Sequence, residues 1–329
     1  MTANRKPRVL VTREVFDETL DYLRRHCEVI DNQGDQPYAP EALGRALAGC
    51  DGLMCSLTDR VDAALLAAAP NLKAVANIAV GYNNIDVPAC TARGVMATNT
   101  PGVLDDSTAD LAWTLMLGAA RRITEVERRV RAGEWTGWRL KQWLGVDVHH
   151  ATLGIVGMGR IGRAIARRAA GFDMTVIYHN RKPIAPELER KCNAAYVSFD
   201  ELLTQSDFIV LQVPYSPATH HLIGAAQLAK MKPSAILVNS TRGGVVDDAA
   251  LVAALKNGTI RAAGLDVYEN EPKLHPEFLA LDNVVLAPHV GSSTEATRQA
   301  MAMLAAKNLV AALHGETPPN LINPEVRRG

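Results

Sequence analysis

The chain has 329 residues, about two domains at ~150 residues each, and is long enough to bury a core without disulfides or metals. Hydrophobic residues make up 48% and charged residues 21%, which excludes a disordered, collagenous or fibrous chain. Lys+Arg and Asp+Glu both number 35, so no net charge recruits nucleic acid, and the longest strongly apolar stretch, 111–120, is about half a membrane span. Cys27, Cys50, Cys55, Cys90 and Cys192 are scattered, without CxxC spacing. With no apolar leader at the N-terminus, they read as reduced thiols in a cytoplasmic protein without a metal site.

From residue 8 to about 100, apolar runs at 9–12, 28–30, 52–55, 74–78 and 95–98 alternate with helical stretches at 14–25, 40–48, 62–68 and 87–93. Strands that are apolar throughout and separated by helices imply a parallel sheet covered on both faces. After Pro101-Gly102, the acidic start Asp105-Asp106-Ser107 opens what reads as one long helix to about Arg131. A second series of runs follows at 153–156, 175–178, 208–213, 236–239, 262–267 and 284–287. Ser292-Ser-Thr-Glu295 fits a capping box, in which Ser292 and Glu295 satisfy each other's amides at the head of a helix reaching about Leu313.

Gly157-Met-Gly159-Arg160-Ile161-Gly162 lies between the run at 153–156 and a helical stretch at 161–170. In that setting GxGxxG is a dinucleotide signature: one glycine turns the chain, one admits the pyrophosphate and one lets helix and strand pack, while the helix N-terminus attracts the anion. The residue expected to bind the ribose hydroxyls, roughly 20 positions on, is Asn180 rather than a carboxylate, and Arg181-Lys182 follow it. An uncharged Asn180 with two cations beside it suits a 2′-phosphate, so NADPH is expected over NADH, with NADH still possible.

Five ordered motifs then coincide: 80–86 (VGYNNID), 157–162 (GMGRIG), 239–244 (NSTRGG), 264–272 (GLDVYENEP) and 288–293 (PHVGSS). Together they resemble the D-2-hydroxyacid dehydrogenases. The stretches 132–135 and 147–162 resemble the branch that reduces glyoxylate, hydroxypyruvate and 2-ketogluconate. The resemblance implies two doubly wound α/β domains joined by two long hinge helices. A flavodoxin-like substrate domain would comprise residues 1–102 and 292–329, and a Rossmann dinucleotide domain residues 103–291.

The resemblance also implies a catalytic trio of Arg242, Glu271 and His289, and reduction of a 2-oxo acid needs those residue types: a cation for the carboxylate, a proton donor for the forming alkoxide, and a carboxylate to orient it. A helix starting at Ser292 would disfavour the protonated His289 ring, and Glu271 would favour it. Further contacts follow from the resemblance. Val80 and Gly81 amides, Leu57 and Trp138 would meet substrate. Thr108 and Asp266 would lie toward the nicotinamide, Val213-Pro214 toward the adenosine, and Thr241 would also contact the cofactor. For Asp266 an internal ion pair is the structural alternative. Trp135, Trp138 and Trp143 suit either a homodimer contact or core packing, and His149-His150 and His220-His221 read as surface or cofactor-proximal residues. A dinucleotide-sensing corepressor and a phosphite dehydrogenase remain alternatives, separable by turnover.

Overall fold

A computed structural model describes residues 5–327. The chain divides into two compact units, one holding the described residues up to Leu104 and from Thr294 onward, the other Asp105–Ser293.

The first unit contains β1 (Arg8–Val11), β2 (Glu28–Asp31), β3 (Gly52–Cys55), β4 (Ala74–Asn77) and β5 (Met96–Thr98), all parallel, in the order β2-β1-β3-β4-β5. This is the flavodoxin-like order, in which crossovers reverse direction between β1 and β3. Side-chain alternation divides the core in two. Leu10, Leu53 and Val75 pack beneath helices at 40–47, 63–68 and 87–92, whereas Val9, Val11 and Ala76 pack with helices Asp17–His26 and Glu295–Leu313.

The second unit contains β6 (Thr152–Val156), β7 (Thr175–His179), β8 (Ala194–Tyr196), β9 (Phe208–Leu211), β10 (Ile236–Asn239), β11 (Ala262–Leu265) and β12 (Val284–Leu286). Their order, β12-β11-β10-β9-β6-β7-β8, is parallel throughout and reverses between β6 and β9. One face packs on helices Asp105–Ala120 and Arg160–Ala169, and the other on helices Phe199–Gln205 and Asp248–Asn257.

Three expectations need correction. The helix expected to run to Arg131 ends at Ala120, and a second spans Ile123–Arg131. Arg122 takes a left-handed φ of 56° between them, with its guanidinium on buried Glu125. Apolar periodicity does not reveal a break made by one residue's backbone. The last long helix is capped by Thr294, whose side chain accepts from the Thr297 amide, and starts at Glu295. The Ser292 capping box is therefore absent, and the helix starts two residues later than the sequence suggests. β8, short and largely exposed, gave no run long enough to read.

Among the described residues no helix is long and apolar enough to cross a membrane, and no group of three or more His, Cys, Asp or Glu could hold a metal. All five cysteines are free and buried.

Candidate active site

In a doubly wound sheet the loops at the carboxyl ends of the strands collect at one edge. In the second unit that edge carries the loop after β6 with Gly157–Gly162, Asn180 after β7, Val213-Pro214 after β9, Thr241-Arg242 after β10, Asp266 after β11 and His289 after β12.

The three loop glycines have separate jobs. Gly157 has φ 106°, and a Cβ there would stand 2.3 Å from the Gln212 carbonyl, so no other residue fits. A Cβ on Gly162 would meet the Gly157 carbonyl at 2.2 Å. Gly159, which heads helix Arg160–Ala169, has no atom within 4 Å of that point. The open space lies where a phosphate can approach the backbone, at the positive end of a ten-residue helix. These residues fit a dinucleotide. Asn180 braces the loop, its Oδ1 accepting the Met158 amide at 2.8 Å. Arg160, Arg181 and Lys182 are exposed, and neither Arg181 nor Lys182 forms an ion pair with the described residues. Val213 packs beside the Gly157 position.

His289 follows the Pro288 turn with φ 56°. Its amide donates to the Asp266 carbonyl at 2.8 Å, and its Nδ1 bonds Glu271 Oε2 at 2.8 Å. The other Glu271 oxygen accepts the Tyr268 amide at 3.0 Å. Burial works against ionised Glu271, but the His289 hydrogen bond and charge, the Tyr268 amide and the Arg242 cation outweigh it and hold the carboxyl below its usual range.

Asp266 is buried and accepts the Val290 amide at 2.7 Å and the Gly291 amide at 2.8 Å. It forms no ion pair among the described residues, so the structural ion-pair alternative does not hold. Burial raises its carboxyl against those amides and the nearby His289. Thr108 lies close by, its methyl 3.5 Å from where a Gly291 Cβ would be.

Arg242 stands on a loop built by Asn239, whose Oδ1 takes the Thr241 amide at 3.2 Å and hydroxyl at 2.8 Å and whose Nδ2 donates to the Arg242 carbonyl at 3.3 Å. Burial lowers the guanidinium's proton affinity and the Glu271 charge opposes that. Gly243, within the 239–244 motif, lets this loop touch the next: a Cβ there would lie 1.6 Å from the Tyr268 carbonyl.

In the first unit Leu57 follows β3, and Val80 and Gly81 follow β4. Sequence reasoning missed the asparagines around them. Asn99 Nδ2 donates to the Val80 carbonyl at 2.8 Å and Asn77 Nδ2 to the Gly81 carbonyl at 3.0 Å, while Asn84 reaches the carbonyls of Ser56 and Asp59 at 3.1 and 3.0 Å. With those carbonyls tied down, the Val80 and Gly81 amides donate to nothing among the described residues and can serve an anion. An asparagine looks like any polar turn residue until its partners are known.

Trp138 is 79% exposed and Trp135 57%, with Leu140 and Leu144 exposed after them, so core packing does not account for these side chains.

Residues 113–291 match the family model for the D-isomer specific 2-hydroxyacid dehydrogenase NAD binding domain. The chain belongs to that family. It is an oxidoreductase with a dinucleotide-binding domain of Rossmann type. It is 50% identical over 325 residues to a glyoxylate reductase of Thermococcus onnurineus, covering 98% of this chain and 97% of that one. It is 47% identical over 324 residues to glyoxylate/hydroxypyruvate reductase B of Klebsiella pneumoniae, covering 98% and 100%. The crystal structure of an NADPH-dependent glyoxylate/hydroxypyruvate reductase from Sinorhizobium meliloti, in complex with NADP and malonate, superposes with a TM-score of 0.86 at 33% identity, covering 98% of each chain.

Proposed function

We propose that this chain reduces small 2-oxo acids, with glyoxylate, hydroxypyruvate and 2-ketogluconate the leading substrates, to D-2-hydroxy acids, preferring NADPH and tolerating NADH. The observation that carries the reading is the 2.8 Å contact of His289 with Glu271, set at the same sheet edge as the loop bearing Arg242. The names and bound NADP of the relatives support it.

In this reading Arg242 binds the substrate carboxylate or polarised carbonyl with its planar fork. The hydride added to the carbonyl carbon comes from the reduced nicotinamide of a bound dinucleotide, which is the chemistry that group supplies. As the carbonyl oxygen gains negative charge, His289 delivers a proton from Nε2, the ring nitrogen left over when Nδ1 is on Glu271. Glu271 stays ionised, orients the ring and stabilises its cationic form before transfer.

The phosphate loop with Arg160 and Ile161, together with Asn180, Arg181, Lys182, Val213, Pro214, Thr108, Thr241 and Asp266, is assigned to the dinucleotide. Leu57, Val80, Gly81 and Trp138 are assigned to substrate. The unit that ends at Leu104 and resumes at Thr294 takes the role of substrate domain. The exposed segment with Trp135, Trp138 and Leu140 is assigned to homodimer contact, and sedimentation of the purified chain as a monomer would reject that part.

The deciding experiment follows oxidation of NADPH and NADH with glyoxylate, hydroxypyruvate, pyruvate and 2-ketogluconate. Turnover of at least one 2-oxo acid, lost in His289→Ala, is expected. No turnover of any would leave a binding role and end the reading.

A further inference from the structure

His220-His221 was left over from the reaction, and His221 occupies a telling position. It takes a left-handed φ of 50° in the segment after β9. Its backbone amide donates to the Gly244 carbonyl at 2.7 Å, and its ring Nε2 bonds Glu269 Oε1 at 2.5 Å. Gly244 is two residues beyond Arg242, and Glu269 two before Glu271. One residue therefore spans the loops that carry the cation and the carboxylate of the site.

The surroundings hold this bridge in place. The Glu269 amide donates to buried Asp248 at 3.0 Å. The His221 ring stacks on His220 with centroids 3.9 Å apart, and its Nδ1 lies 3.9 Å from Asp247, the cap of helix Asp248–Asn257. At Gly243 the two loops meet backbone to backbone. Loops joined this tightly move together or not at all, and a hydrogen bond to a charged partner is stronger than a neutral one.

We propose that His221, acting through Glu269, is a positioning residue for the reaction: it clamps the Arg242 loop to the 268–271 segment and so fixes where Glu271 meets His289. The inference rests on the reading of Arg242, Glu271 and His289 given above.

The test compares His221→Phe, Glu269→Ala and Glu269→Gln with the parent. His221→Phe keeps the stacked ring and loses the bond, whereas Glu269→Gln keeps an acceptor for Nε2 and is the conservative rescue. Expected is a loss of ~10- to 100-fold in kcat for glyoxylate in His221→Phe and Glu269→Ala, since small misplacements near a reacting group cost that much. The dissociation constant of NADPH should stay within about twofold, and Glu269→Gln should keep most of the parent's kcat. In a Glu271→Gln background the effect of His221→Phe should largely vanish, because the residue it positions is gone. An equal loss in both backgrounds, or a parental kcat in His221→Phe, overturns the proposal. If His221→Phe does not fold, Glu269→Ala against Glu269→Gln decides, and equal rates in the two overturn it. The NMR signal of the His289 Nδ1 proton gives a readout that needs no turnover. It should move in His221→Phe, and an unmoved signal counts against the clamp even if the parent reduces no 2-oxo acid, an outcome that by itself would end only the functional reading.

Discussion

Glu271 touches His289 with one carboxylate oxygen, Oε2 to Nδ1 at 2.8 Å, and holds the Tyr268 amide with the other at 3.0 Å. The carboxylate is thus fixed by its own loop before it meets the ring, so the ring is oriented by a group that cannot swing away. Glu271 is held below the usual carboxylate range, so it stays ionised beside the ring.

Glu271→Gln removes the negative charge that favours the protonated ring. Reduction needs that proton, so the pH at which the rate falls off on the alkaline side should move down, and kcat should drop ~10- to 100-fold. A pH profile of kcat/KM for glyoxylate checks this, and an alkaline limb in its original place rejects the coupling.

Gly159→Ala separates folding from binding. Nothing stands within 4 Å of the added methyl and the backbone is extended at φ −74°, so thermal unfolding should be unchanged. Dinucleotide affinity, titrated by fluorescence, should fall at least about tenfold because the methyl takes the space where phosphate approaches. Gly162→Ala, whose methyl would meet the Gly157 carbonyl at 2.2 Å, should instead lower the melting temperature.

Arg181→Ser addresses cofactor choice. Arg181 is exposed and has no ion-pair partner among the described residues, so removing it costs no internal contact. KM for NADPH should rise about tenfold and KM for NADH stay within about twofold, the loss of one charge-assisted contact to a phosphate. Equal changes for both cofactors would detach Arg181 from the 2′-position.

Asp248→Asn bears on stability. Burial pushes the Asp248 carboxyl up to about 6 against the Glu269 amide it accepts. A folded-state value above the unfolded one means the contribution to stability is fully present below the ordinary carboxylate value of 3.8 and is lost as pH rises through about 6. The asparagine keeps an acceptor for that amide and has no charge to bury. Its free energy of unfolding, from denaturant titration, should exceed the parent's at pH ~8 by on the order of 3 kcal/mol and match it near pH ~4. A gain independent of pH would mean that ionisation of Asp248 is not the cause.

Much of the molecule was legible without coordinates. Eleven of the twelve described strands lie where apolar runs stand between helical stretches, as at Gly52–Cys55 and Ile236–Asn239, and GxGxxG could be placed at a strand-to-helix turn. Such features are local: the period of burial, the freedom of glycine and the charge at a helix end all act within a few residues of sequence. The resemblance in turn implies Arg242, Glu271 and His289 as the trio, and the structure brings Glu271 and His289 into contact.

Other features belong to the folded chain. The left-handed break at Arg122, the cap at Thr294, the asparagines under Val80 and Gly81, and the His221 bridge between two loops each depend on a partner or a backbone angle that no periodicity encodes. The bond between Glu271 and His289 is of this kind as well. Residue types and spacing announced which groups the chemistry requires, but contacts between loops at the ends of different strands form only when the sheet brings those ends to one edge.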